Sequence, residues 1–299
     1  MIFPLVATLL FARPTTPVAV LTAASPAPTK TFFSNSWTQT SKANRYVTDC
    51  TTTAGPPAAL SILSPDIQKN FELLQSALSG FSVTEENSYI ATEQKAGLVR
   101  QQTNGLNDVI AYALKTMTYD EAAQKIRATP SQAAYLTFVK DVISYASDPS
   151  AWKSFTDKKT AASIFASVKK SLLTTSFDKA SLKFQNWENA STGGTRYAIY
   201  KGSYTKTASN TLVTSTLGQN FSGTGDTASV RIFVDEKSKE WRKTEATLTL
   251  TLGQITVPVK QTCTAKYGKD AIITPPTKSQ PVDANTGLQE FQQLVQSMG

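Results

Sequence analysis

Ten basic side chains crowd into residues 151–206: Lys153, Lys158, Lys159, Lys169, Lys170, Lys179, Lys183, Arg196, Lys201 and Lys206, against three acidic ones. Trp152, Phe177, Trp187, Tyr197, Tyr200 and Tyr204 are interleaved with them. Cations attract phosphates and anionic headgroups, and aromatic rings stack on bases or settle at a lipid interface, so the spacing suits contact with an anionic partner. Nearly all of the net charge of +8 comes from this segment. The same pattern arises when lysines solvate one helix face while rings fill a junction between elements, the commoner origin of a charge run.

Other chemistry is sparse. The chain has no histidine, which removes Ser-His-Asp and Cys-His catalysis, histidine bases and every His-containing metal site. Ser176-Phe-Asp-Lys179 has the S-x-x-K spacing in which a lysine one helical turn on deprotonates a serine, but Lys201-Gly-Ser203 is not a K-T-G element and no S-D-N follows. Gly193-Gly194 and the glycines between Gly218 and Gly225 lie between expected strands, whereas a phosphate cradle needs a glycine-rich turn feeding a helix. Asp120-Glu121 and Asp235-Glu236 are adjacent pairs whose side chains diverge, so neither makes an acid/base pair or a calcium cage. Asn189-Ala-Ser191 and Asn220-Phe-Ser222 are glycosylation sequons, meaningful only on a eukaryotic secretory route. No catalytic, cofactor or metal site is expected, and the chain reads as a non-enzyme. Two cysteines, Cys50 and Cys263, are too few for an all-cysteine zinc site. They are either a disulfide closing a very long loop, in an oxidising compartment, or two separate thiols.

The elements that must carry these residues differ in how plainly they can be read. The clearest is Lys243 to Cys263. Leu248, Leu250 and Leu252 alternate with threonines, Gly253-Gln254 suits a type II′ turn, and Ile255, Val257 and Val259 alternate with Thr256 and Pro258. A two-residue loop pairs Leu252 with Ile255, Leu250 with Val257 and Leu248 with Val259, and sets all six apolar side chains on one face. Pro258, lacking an N–H, marks the Ile255–Lys260 strand as a sheet edge at that point.

Charged residues make up 17% of the chain, low for a cytosolic enzyme and in keeping with an extracytoplasmic or particle-forming protein. Residues 1–63 read as an apolar and Thr/Pro-rich arm, or a signal cleaved near Ala23-Ala24 followed by a linker; the apolar run is too short to span a bilayer. Residues 64–175 read as a helical region. Its helices are expected from Ser64-Pro65 to Gly80 along Ile67, Phe71, Leu74 and Leu78, over Thr84–Gln102, and along Leu106 to Met117. Others follow in a capping box at Thr118–Glu121, from Thr129-Pro130 along Leu136, Val139, Val142 and Ile143, and over Lys158–Leu173. Residues 176–265 read as an antiparallel β region, with strands at Leu182–Phe184, Arg196–Lys206, Thr211–Leu217, Ser229–Asp235 and the hairpin. Residues 266–299 read as an irregular tail ending in a helix, Leu288–Met298. The expected fold is α+β: an N-terminal helical bundle followed by an antiparallel β-sheet, with an extended arm and a tail.

Arms and tails without a core of their own are ordered only when something covers them. The leading expectation is therefore a non-enzymatic structural subunit of a virion or cell-envelope assembly, contacting other protein subunits through its arms and sheet edge. The alternative is a secreted or periplasmic binding module, reaching an anionic partner through residues 151–206.

Overall fold

The structure is a computed structural model that describes residues 30–55, 78, 81–102, 117–128, 131–174, 182–204, 224–225, 228–252 and 255–297. Most of it is one sheet. Its strands are β1 (Arg45–Ala54), β2 (Ser82–Ile90), β3 (Lys95–Gln102), β4 (Gln132–Val139), β5 (Val142–Ala146), β6 (Lys153–Thr156), β7 (Leu182–Thr192), β8 (Thr195–Tyr204), β9 (Thr224–Gly225), β10 (Ala228–Asp235), β11 (Trp241–Leu252), β12 (Ile255–Tyr267) and β13 (Gln280–Pro281). They lie in the order β13-β6-β5-β4-β3-β2-β1-β12-β11-β10-β8-β7, with β9 beside β11. Every pair is antiparallel except the short β13–β6 contact, which makes the sheet mixed. The helices among the described residues are α1 (Lys30–Ser41), α2 (Tyr119–Ala128), α3 (Lys158–Thr174) and α4 (Ala284–Ser297).

This arrangement overturns the expected N-terminal helical bundle followed by a sheet. The stretch 84–102, expected as a polar helix, is β2 and β3 around a turn at Ala91–Gln94. The stretch 130–146, expected as a striped helix, is the β4–β5 hairpin, turning at Lys140-Asp141 with Lys140 at φ 54°. The misreading has a physical cause. Leu136 and Phe138 point inward from β4 and Ile143 and Tyr145 from β5, so a tight turn between two period-two runs leaves Leu136 and Ile143 at a helix-like spacing. The β-branched and aromatic content of Tyr135–Tyr145 favours the strand pair, where those side chains pack on a pleated surface. Two helices of that region are present where expected. At α2, Thr118 N–H donates to Glu121 Oε2 at 2.8 Å and Glu121 N–H to Thr118 Oγ1 at 3.4 Å, a capping box. At α3, Asp157 Oδ1 accepts from the N–H groups of Lys159 and Thr160 at 2.9 and 3.0 Å. The helices expected over 64–80 and 106–117 and the strand over 211–217 lie outside the described residues, Leu78 and Met117 excepted.

The hairpin register is as expected: Leu252, Leu250 and Leu248 stand opposite Ile255, Val257 and Val259. The edge expected at Pro258 is not found there, because the chain leaving β1 pairs with it. From Val259 onward β12 is covered by β1, and Gly55 N–H donates to Pro258 O at 2.7 Å beside the missing proline donor.

Residues 30–54, expected as part of an extended arm, are a helix and an interior strand. The helix signal was aromatic and hydroxylic rather than aliphatic: Phe33, Ser36, Trp37 and Thr40 fall on one face by helical spacing. That face grips Trp241. Phe33 stacks on the Trp241 ring at 5.4 Å and Trp37 meets it at 4.8 Å. Trp241 Nε1–H donates to Ser36 Oγ, and its backbone N–H to Thr40 Oγ1, both at 3.1 Å.

Inward side chains form two apolar clusters on the helix-bearing face. One gathers Phe33, Tyr200, Val230, Ile232, Trp241, Leu250 and Val257. The other runs as a row from Tyr267 through Tyr46, Tyr89, Ala96, Phe138 and Ile143 to Phe155, covered by Ala161 and Val168 of α3. Between them passes a polar row, Arg100–Glu85–Cys50–Cys263–Thr244, each residue directly opposite the next. Cys50 and Cys263 are disulfide-bonded across β1 and β12, with Cα atoms 4.0 Å apart and 213 residues between them in sequence. Such a separation is that of a non-hydrogen-bonded antiparallel pair, where side chains approach most closely.

Two stability measurements follow. Ser36 is fully buried, so Ser36→Ala strands the Trp241 indole N–H without its acceptor and should lower unfolding stability by about 1–3 kcal/mol in urea titrations. Reducing the disulfide, or Cys263→Ser, should cost up to about 5 kcal/mol on the chain-entropy account, read as a drop in the denaturation midpoint with and without reductant. A midpoint unmoved by reductant would show that the staple carries no stability.

Candidate functional site

The basic segment does not converge. Lys153 sits in β6 and Arg196 and Lys201 in β8, and those two strands are nine positions apart in the sheet order. Lys158 and Lys159 are exposed in the first turn of α3; Lys169 and Lys170 lie in α3 and Lys183 in β7. Lys179, Lys206 and the Ser176–Lys179 motif lie outside the described residues. Three of these cations have acidic partners: Lys153 with Glu290 at 2.9 Å, Arg196 with Glu236 at 3.4 Å and Lys201 with Glu188 at 2.6 Å. Glu188 also bridges to Arg231 at 2.7 Å, and Arg231 to Glu245 at 3.0 Å, so Arg231 and Lys201, like charges directly opposite in register, share one carboxylate. Their pull holds Glu188 below the usual carboxylate range, the Lys201 hydrogen bond most of all. Three of the interleaved rings pack on other aromatics: Tyr200 against Phe33 at 4.4 Å, Tyr197 edge-on to Phe233 and Trp152 edge-on to Tyr135.

What the fold assembles instead is a cleft beneath α4. Asp283 caps this helix, its Oδ1 accepting from the N–H groups of Asn285 and Thr286 at 3.0 Å each. The backbone of β13 runs parallel to β6 and delivers the helix to that end of the sheet. Gly287 then lies so close to Phe155 that a Cβ there would meet ring carbons at 2.6 Å. Phe291 enters the second apolar cluster, edge-on to Tyr145 at 6.3 Å. A cavity of about 370 Å³ opens between α4 and the end of β5, lined by Tyr145, Ser147, Lys153, Glu290, Gln293 and Leu294 among others. That size falls within the range of small-ligand clefts.

At its centre three side chains from three elements meet. Tyr145 Oη donates to Glu290 Oε2 at 2.5 Å, and Lys153 Nζ donates to Oε1 and Oε2 at 3.0 and 2.9 Å. The Tyr145 hydrogen bond, seconded by Lys153, holds the Glu290 carboxyl below its ordinary range. Burial pushes the Tyr145 phenol well up, with the Glu290 contact adding to the rise. The cluster therefore holds an ionised Glu290 beside a neutral Tyr145 phenol at neutral pH, with Lys153 paired to the carboxylate. Only Lys153 of this trio belongs to the basic residues singled out in sequence; Glu290 is 137 residues away and Tyr145 shares no motif with either. The apolar stripe of the terminal helix was the legible half of the signal, with Phe291 buried and Val295 exposed.

Among the described residues, no group of three or more Cys, Asp and Glu side chains is placed to hold a metal ion, and no helix is long and apolar enough to cross a membrane. No protein-family model and no curated protein matches the chain. Several solved structures are similar, two mycobacterial proteins among them. LprF from Mycobacterium bovis shares 12% identity and a TM-score of 0.38, over 85% of this chain and 100% of that one. The Mycobacterium tuberculosis lipoprotein LppX shares 11% identity and a TM-score of 0.33, over 77% of this chain and 91% of that one. At such scores neither likeness bears on function.

Because its folded pKa is depressed, Glu290 stabilises α4 above the unfolded carboxyl pKa, and that contribution is lost as pH falls through the lower folded value. Glu290→Gln should therefore speed hydrogen exchange of the α4 amides already at neutral pH. The exchange should then change less on acidification than in the parent chain, the remainder belonging to Asp283, whose carboxyl is likewise held low by Thr286.

Proposed function

We propose that the protein is a binding module of an extracytoplasmic compartment, and that it acts without bond-making chemistry of its own. The observation that carries this over a structural assembly subunit is that both ends of the described chain dock on its own sheet. The assembly reading leaned on arms and a tail in need of a partner to cover them. Instead α1 buries Phe33, Ser36 and Thr40 against Trp241, and α4 buries Gly287 and Phe291 against β5 and β6. The virion reading has no support in this arrangement.

The compartment rests on the disulfide. A bond between Cys50 and Cys263 persists where thiols are not kept reduced, which favours the envelope or the exterior of a cell. Its place at the middle of the sheet is that of a structural staple. The apolar segment before Ser25, a secretion signal on this reading, is in keeping with the same route. The partner surface is the α4 cleft, the place where the described residues combine a cavity of ligand size with a cluster of converging polar groups.

Intact-mass measurement and light scattering on the protein from its native source test this reading. A monomer lighter by the two hydrogens of one disulfide is expected. Free thiols on the native protein, or its recovery only as a stoichiometric part of a larger particle, would overturn it.

A further inference from the structure

The chemistry of the α4 cleft also indicates what kind of ligand it takes; this inference rests on the binding-module reading. We infer that the cleft takes a neutral, polyhydroxylated ligand, a saccharide, held by hydroxyl groups that donate and accept in turn.

The charge balance comes first. Lys153 and Glu290 cancel, and no other ionised side chain lines the cavity. An anionic ligand would face the Glu290 carboxylate at the centre of the cluster. A cationic one would compete with Lys153, already bound to both carboxylate oxygens. A zwitterion could complement both charges only by separating them. A neutral ligand leaves the pair intact.

The second point is the inventory of hydrogen-bonding groups. Glu290 accepts, Lys153 donates, and Gln293 and Ser147 do both. Ser297, also at the cleft, spends its hydroxyl proton on Leu294 O at 2.8 Å and so presents an acceptor. The lining thus offers donors and acceptors together, from Lys153, Gln293 and Ser147 on one count and Glu290, Gln293, Ser147 and Ser297 on the other. A hydroxyl group is the ligand group that matches such a wall at every point, since each one donates once and accepts twice. The third point is the apolar part of the lining. Ala146, Ala151 and Leu294, with Tyr145, are the apolar groups of the lining against which the C–H groups of a sugar ring can rest, while its hydroxyls reach the polar ones.

The test uses the full disulfide-bonded chain with maltose and trehalose as neutral probes, glucuronate as the anionic probe and glycine as the zwitterion. Binding is followed by calorimetry and by saturation-transfer NMR. Saturable binding of a neutral disaccharide is expected, with glucuronate and glycine weaker. Gln293 and Ser147 are exposed, so Gln293→Leu and Ser147→Val should fold, as judged by an unchanged denaturation midpoint, and each should weaken binding about tenfold, the worth of one lost hydrogen bond of about 1.4 kcal/mol. No binding of either disaccharide, preference for glucuronate or glycine, or full affinity in both variants would overturn the inference. A monomeric, disulfide-bonded protein that ignores sugars would sink the saccharide assignment and leave the binding-module reading standing. Free thiols or an obligate particle would sink that reading first.

Discussion

The pairing of β1 with β12 is the contact on which the rest of the sheet depends. Among the described residues it is the one ladder joining the half that runs from β1 to β13 to the half that runs from β12 to β7. The chain crosses there early. Helix α1 packs on β11 of the second half, and β1, the strand that follows it, opens the first. Bringing two strands together across 213 residues carries a loop-closure cost that grows slowly with length but is large at the outset. A covalent bond at this pair therefore acts where confinement of the unfolded chain is greatest. The register Cys50↔Cys263 also keeps the inward faces of the two halves on one side, because a slip of one residue would reverse one half relative to the other.

The polar row that contains the disulfide has a further consequence. It parts the apolar face into two clusters instead of one, each with its own helix: α1 over the first and α3 over the second. Each helix brings a specific polar contact as well as apolar area. Trp241 donates to Ser36 and Thr40 of α1, and Tyr46 Oη donates to Val168 O of α3 at 2.7 Å. Buried donors without acceptors cost more than most buried methyl groups return, so these bonds set where along the sheet each helix can sit.

Charge follows the same logic. A segment that looks strongly basic when read as text is dispersed by folding over strands at opposite ends of the sheet, where Lys153 and Arg196 find carboxylates from outside it and Lys201 pairs with Glu188 within it. Glu188 and Glu290 illustrate the two outcomes. The first belongs to a surface network across β7, β8, β10 and β11 in which two carboxylates, Glu188 and Glu245, flank the neighbouring cations Lys201 and Arg231. The second is drawn by α4 to the wall of a cavity, where it pairs with Lys153.

By itself the sequence determined the local geometry wherever pattern and turn chemistry agreed: the β11–β12 register, the Thr118–Glu121 capping box, helix α3 and the strands around Arg196 and Ser229. It also determined the absence of histidine chemistry and the availability of two cysteines. Tertiary structure alone decided that residues 84–102 and 132–146 are strands, because hairpins with tight turns imitate a helical stripe and only a neighbouring strand resolves the ambiguity. It decided as well that Cys50 meets Cys263, and that Tyr145, Lys153 and Glu290 share one cleft. Those are contacts between residues far apart in the chain, and periodicity, which reports only on near neighbours, carries no record of them.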